Sequence, residues 1–143
     1  NGELHTAMIE LKQVPASHID RAWKDGAHRL AQACETSGGE VTGDQLKMML
    51  SRGERVLLGM VRDGAFVGWG VVRLDQMPNM RALHVCELYA PGAVFEEFMV
   101  PLRAWAEANG CSRIRCSAKP AQARLYKMRG GFTPVYETLE VLL

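Results

Sequence analysis

The sequence predicts an α/β fold of the α+β kind, a mixed, mostly antiparallel central sheet of about six to seven strands with helices on both faces. Two observations carry this. Residues 83–132 read as strand, long helix, strand and short helix, two right-handed crossover units of the kind that build a partly parallel sheet. Upstream, two strand-like runs flank Asp63-Gly64, the strongest short hairpin signal a sequence offers. No repeat, low-complexity run or linker interrupts the order, so the 143 residues are expected to form one domain, 1–143, large enough for a proper core.

Taken in order, Leu4 to Val14 is a first strand with Met8, Ile9, Leu11 and Val14 as its apolar content, and Pro15 ends it. Ser17 and Asp20 mark a helix start, and Ile19, Trp23, Ala27, Leu30 and Cys34 form a helical stripe running to about Ala33. After the loop Thr36-Ser37-Gly38-Gly39, Thr42 and Gln45 have the spacing of a capping box. They open a short helix with Leu46, Met49 and Leu50 on its apolar side and Gly53 at its end. Strands at Arg55–Arg62 and Ala65–Leu74 follow, and their glycines Gly59, Gly68 and Gly70 mark bulges or close approaches by a backbone or a ligand. Asp75 to Met80 returns the chain into a strand from near Arg81 to Tyr89.

Ala90-Pro91-Gly92 is a turn. Phe95, Phe98, Leu102 and Trp105 then fall three and four apart, one face of a helix from Val94 to Asn109 closed by Gly110. Pro101 leaves a second start open, near residue 101, since proline removes an interior helical hydrogen bond. Cys111 to Ala118 alternates as a two-faced strand, Pro120 begins a helix, and Gly130-Gly131-Phe132 closes it. Tyr136 to Leu143, with Leu139, Val141 and Leu143 alternating, reads as a final strand.

Apolar residues at 48% and charged residues at 23% are ordinary for a globular chain. Seventeen Lys and Arg against sixteen Asp and Glu leave +1, which argues against nucleic-acid binding through bulk charge. No apolar run approaches the roughly 18–20 residues that span a bilayer, and no signal peptide is visible, so no membrane association and a cytoplasmic location are expected. Cys34, Cys86, Cys111 and Cys116 lack metal-ligand spacing; free thiols and no metal site are expected.

Glu87-Leu88-Tyr89, then Trp105-Ala106-Glu107-Ala108-Asn109-Gly110-Cys111, Arg113-Ile114-Arg115, and Ala123 through Leu125-Tyr126 to Gly130-Gly131-Phe132 together resemble the C-terminal half of a GNAT-type (GCN5-related) N-acetyltransferase. The resemblance implies a sheet splayed near its middle and transfer of an acetyl group from acetyl-CoA, as acyl donor, to a small-molecule or protein amine. It also implies that the helices after the first strand shape the acceptor cleft, and a homodimer paired through exposed strand edges.

Acyl transfer from a thioester to an amine needs a held donor, a deprotonated amine and a proton for the leaving thiolate. The resemblance assigns Glu87 as general base, where the alternative is a salt-bridged strand carboxylate, and Tyr126 as the acid that protonates the thiolate, where the alternative is a packing ring. His84, expected on the opposite face of a regular strand from Glu87, is a weaker candidate. The donor is assigned to the strand edge at Leu88 and Tyr89, to Ala90, Gly92 and Ala93 at the helix start, and to Lys119 and Arg124, which otherwise belong to a solvated face. Two departures from the family pattern stand out. The loop from Ala90 to Ala93 is several residues shorter and lacks the family's glycine-rich phosphate loop, and Glu96 and Glu97 occupy the first helical turn. Such loop-shortened relatives occur among phage-encoded proteins, so a phage or prophage origin fits. A binding or structural module that keeps the fold without binding CoA is the alternative function.

Overall fold

A computed structural model describes residues 8–143. The expected first strand began at Leu4; Leu4 to Ala7 lie outside the described residues, and β1 spans Glu10–Val14. The helices that follow are α1 (Ile19–Asp25), α2 (Leu30–Cys34) and α3 (Gly43–Ser51). Strands β2 (Val56–Arg62), β3 (Ala65–Gln76) and β4 (Arg81–Tyr89) come next, then α4 (Val94–Ala108), β5 (Arg113–Cys116) and α5 (Pro120–Gly130).

The strands form one five-stranded sheet in the order β1-β2-β3-β4-β5. The first three pairings are antiparallel and β4 with β5 is parallel. Each face carries its own core. Leu58, Met60, Val72 and Leu83 pack against Phe98, Met99 and Leu102 of α4 on one side. On the other, Leu57, Trp69 and Val71 pack against Ile19, Leu30, Leu46 and Leu50 of α1, α2 and α3.

The local signals hold where they depend on neighbours in sequence. Asp63 and Gly64 take φ of 52° and 78°, the left-handed pair a tight hairpin requires. Thr42 and Gln45 form the capping box, with side-chain bonds of 3.0 and 3.2 Å to each other's backbone amides. Helix α4 starts at Val94 and contains Pro101, which settles the two starts left open by the sequence.

Three expectations change. The single helix over 19–33 is two helices, because Gly26 at φ 135° turns the chain between them; the apolar stripe survives as one face across both. The strand expected over 111–118 shortens to Arg113–Cys116, since the Cys111 amide bonds Ala106 O of the preceding helix (2.9 Å). The sheet has five strands rather than six to seven, for Tyr136 to Leu143 forms none: Leu139 and Val141 are 85% and 81% exposed. Alternation describes a face a strand would present, but a strand exists only against a partner edge, and this segment meets none among the described residues.

The strand glycines answer to packing. A Cβ on Gly68 would lie 2.7 Å from Tyr89 O and 2.6 Å from Met60 Sδ, whereas one on Gly70 would meet nothing nearer than 3.5 Å. Gly68→Ala is therefore expected to cost about 1–3 kcal/mol of stability and Gly70→Ala to be neutral or slightly stabilising. Urea unfolding of both variants checks this, and equal effects would contradict it.

Candidate active site

Strand β4 pairs with β5 only from Ala82 to Val85, opposite Arg113 to Cys116, yet it continues to Tyr89. Beyond Val85 the chain of β5 has already turned away toward α5, whose fixed-φ Pro120 sits in the first helical turn. The two strands therefore part, leaving the β4 edge from Cys86 to Tyr89 without a strand on that side among the described residues.

A cavity of about 70 Å³ occupies the parting. Ala33, Thr36, Ser37 and Glu87 line it from the side of α2, and Phe95, Met99, Tyr126 and Phe132 from the side of α4 and α5. It thus runs through the sheet from one face to the other.

Glu87 reaches this cavity because β4 is irregular. Val71 pairs with Glu87 but Val72 pairs with Val85, so Cys86 is an extra residue, a β-bulge. Val71 belongs to the core under α1–α3, and its partner Glu87 is turned to that same face. Arg73, two residues after Val71, pairs with His84. His84 and Glu87 therefore share a face, contrary to the expectation for a regular strand; the bulge cancels the alternation between them.

The Glu87 side chain is 5% exposed and both its oxygens accept from Arg55 Nη1 at 3.4 Å. Burial raises its pKa above the ordinary glutamate value, and Arg55 only partly offsets this. A buried carboxyl held at raised pKa takes up a proton more readily than one in water, the property a general base needs. His84 is shifted the other way, downward, first by burial and then by the Arg73 guanidinium, which favours the neutral imidazole. It does not line the cavity.

Tyr126 is held by rings. Phe95 stacks on it at 5.1 Å and Phe132 lies tilted at 5.8 Å. Burial, then the nearby Cys116, raise the pKa of its phenol, so it is protonated at neutral pH and able to donate.

The start of α4 is largely self-satisfied. The amides of Val94 and Phe95 donate to Pro91 O and Gly92 O at 3.2 and 3.4 Å, and Ala93 caps the helix without a side-chain bond. The two first-turn carboxylates are paired as well, Glu96 with Arg129 at 3.4 Å and Glu97 with Arg62. Sequence reading named the acids but missed these arginines, which bring two guanidiniums to the helix start from β2 and α5.

The structure thus brings Glu87, Leu88 and Tyr126 to one cavity. Tyr89 and Ala90 continue from it, with Gly92 and Ala93 exposed in the turn beyond. Lys119 and Arg124 are exposed and outside the cavity lining. Arg55, Thr36 and Ser37 are the residues sequence reading missed; nothing local marks a partner 32 residues away from Glu87. No group of three His, Cys, Asp or Glu that would hold a metal ion occurs among the described residues, nor any helix long and apolar enough to cross a membrane.

No protein-family model matches the chain, and no curated protein is similar to it in sequence. Solved structures do match. A possible acetyltransferase from Clostridium difficile 630 superposes with a TM-score of 0.68 at 13% identity, over 95% of this chain and 98% of that one. The aminoglycoside N-acetyltransferase AAC(6')-Iy in complex with CoA gives 0.60 at 12%, over 100% and 99%. A ribosomal-protein-alanine N-acetyltransferase from Brucella melitensis biovar Abortus 2308 gives 0.63 at 15%, over 94% and 99%. At these identities the likeness shows the fold: the chain has a GNAT-like fold.

The buried ion pair makes a direct prediction. Arg55→Met leaves the Glu87 carboxylate unpaired and is expected to lower stability by about 3–5 kcal/mol. Adding Glu87→Gln is expected to recover most of the loss. Denaturant unfolding of the two single variants and the double checks it; strictly additive losses would show the pair to be uncoupled.

Proposed function

We propose that this chain is a GNAT-type N-acyltransferase that moves an acetyl group from acetyl-CoA to an amine on a small molecule or a protein. The observation that carries the reading is the cavity through the parted strands, lined by Glu87 from one face of the sheet and Tyr126 from the other. The matched acetyltransferase structures support it through the shared fold.

In this reading the acceptor approaches from the side of α1–α3, past Thr36 and Ser37. Glu87 accepts the amine proton, directly or through one water, and the nitrogen attacks the thioester carbonyl carbon. The carbon–sulfur bond breaks, and the departing thiolate takes the proton of the Tyr126 hydroxyl. Atoms balance: the amine loses one proton to Glu87, the amide forms, and the thiol leaves neutral.

The donor's pantetheine arm pairs with the open β4 edge at Leu88 and Tyr89 and follows Ala90 to Ala93. Its phosphates meet Arg62 and Arg129, which exchange the carboxylates of Glu97 and Glu96 for phosphate oxygens, with Lys119 and Arg124 on the outer side. The second reading, a module that has kept the fold and lost the donor, is favoured by the Val94 and Phe95 amides already bonded within the turn.

Calorimetric titration with acetyl-CoA separates the two. The enzyme reading expects binding at about 100 μM or tighter, near −5.5 kcal/mol, weakened by Arg62→Glu or Arg129→Glu; no heat at millimolar donor sinks it. Given turnover, the rate is expected to fall as pH drops through a pKa above the ordinary glutamate range, because only ionised Glu87 accepts a proton. Glu87→Gln should abolish that limb, and Tyr126→Phe should lower kcat by about 10²–10⁴-fold. An unchanged profile in Glu87→Gln would remove Glu87 from the chemistry.

A further inference from the structure

We propose that the acceptor is a small amine carrying a carboxylate or phosphate, and that its acid is held by a row of basic side chains crossing the α1–α3 face of the sheet beside Glu87. The proposal rests on the acyl-transfer reading and names the acceptor class that reading leaves open. Neighbouring strands contribute one residue each. Val72 and Leu74 of β3, Leu83 and Val85 of β4, and Ile114 and Cys116 of β5 pack into the core under α4, so Arg73, His84 and Arg115 project from the opposite face. The register sets them side by side, Arg73 opposite His84 and His84 opposite Arg115. Arg55 stands just before Val56, whose partner is Val72, and so continues the row beside Arg73. Its contact with Glu87 fixes it on that face.

Charge along this row does not cancel. Arg55 is paired with Glu87, and Arg73 Nε with Asp75 at 2.9 Å. Arg115 has no carboxylate partner among the described residues, and its Nε is buried without a hydrogen bond. Glu40, the other carboxylate felt by Glu87, bonds none of the row. Three guanidiniums therefore face two carboxylates, and the positive charge left over sits on Arg115. A guanidinium already partly withdrawn from water loses less hydration on pairing with an anion than an exposed one, and its fork fits a carboxylate or phosphate. His84, between Arg73 and Arg115, is held toward the neutral imidazole by burial and then by Arg73, so it offers the same anion one N–H donor.

The bulge decides how far this anion lies from the reacting nitrogen. By placing His84 and Glu87 on one face, it sets them two steps apart along β4, roughly 7 Å. One small molecule spans that distance, with its amine at Glu87 and its acid at His84 and Arg115. The acid is then several bonds from the amine. A polyamine would bring its second cation against the Arg115 guanidinium, where like charges repel.

Two arms test it. In the first, transfer from acetyl-CoA is followed for γ-aminobutyrate, its uncharged amide γ-aminobutyramide, O-phosphoethanolamine and the diamine cadaverine. The better of the two acids is expected to show a KM about tenfold or more below that of the amide, and cadaverine to be the poorest; which acid wins tells carboxylate from phosphate. Arg115→Gln is expected to raise the KM for that acid about tenfold with kcat little changed and to leave the amide as it was, whereas a folding defect would weaken both alike. Arg103→Gln, the same loss of charge at an exposed position on α4, is the control expected to change neither. In the second arm no donor is present: γ-aminobutyrate and inorganic phosphate are titrated, and the ring protons of His84 are expected to shift in the native chain and not in Arg115→Gln. Transfer without preference for an acid, or a preference that survives Arg115→Gln, overturns the proposal and leaves acyl transfer standing. Ring shifts lost in Arg115→Gln, with no transfer to any probe, support the anion row and count against the catalytic reading instead. No ring shift from either anion at millimolar concentration overturns the row, whatever the donor does.

Discussion

The parting of β4 from β5 after Val85 is the constraint from which the site follows. Parallel pairing satisfies β4 up to Val85, and the bulge at Cys86 then re-aims the next side chain. Had the strand stayed regular, Glu87 would point into the apolar layer under α4, where Val72 and Leu83 sit. Instead it turns toward α1–α3 and meets Arg55. The same parting opens the sheet, so a residue on one face and a phenol on the other line a single space. Gly68, pressed against the Tyr89 carbonyl, fixes where the far end of β4 lies.

Electrostatics at the site are set by burial more than by pairing. Glu87 keeps a raised pKa despite a guanidinium at 3.4 Å, and Tyr126 is raised by burial first and then by the nearby Cys116. The charged forms of both are disfavoured, which suits the proton acceptor and proton donor proposed for them. At the start of α4, where the donor's phosphates are proposed to sit, the charges are exposed to a different degree. Arg62 and Glu97 are 22% and 41% exposed, and Arg129 and Glu96 are about half exposed, so these pairs are exchangeable with an incoming anion at modest cost.

What the sequence made legible was local. Asp63-Gly64, the Thr42–Gln45 capping box and the α4 stripe from Phe95 to Trp105 each need only residues within a few positions, and each formed as read. Gly26 was overlooked because the stripe continues across it; a left-handed glycine breaks the backbone without breaking the apolar face. The bulge at Cys86 left no mark, since it is defined by the register of β3 against β4 and not by β4 alone. Arg55 stayed hidden for a similar reason, as did Arg62 and Arg129, whose partners lie on other elements. The segment from Tyr136 carries an alternating pattern yet forms no strand among the described residues, because alternation does not supply a partner edge.

The central claim is that the opening between β4 and β5 receives the thioester. Backbone amide shifts on adding acetyl-CoA test it most directly. The account predicts that Leu88, Tyr89 and the amides flanking Gly92 shift, together with the ring protons of Tyr126, while residues under α1–α3 away from Glu87 stay put. Shifts confined to other surfaces, or none at millimolar ligand, would contradict it.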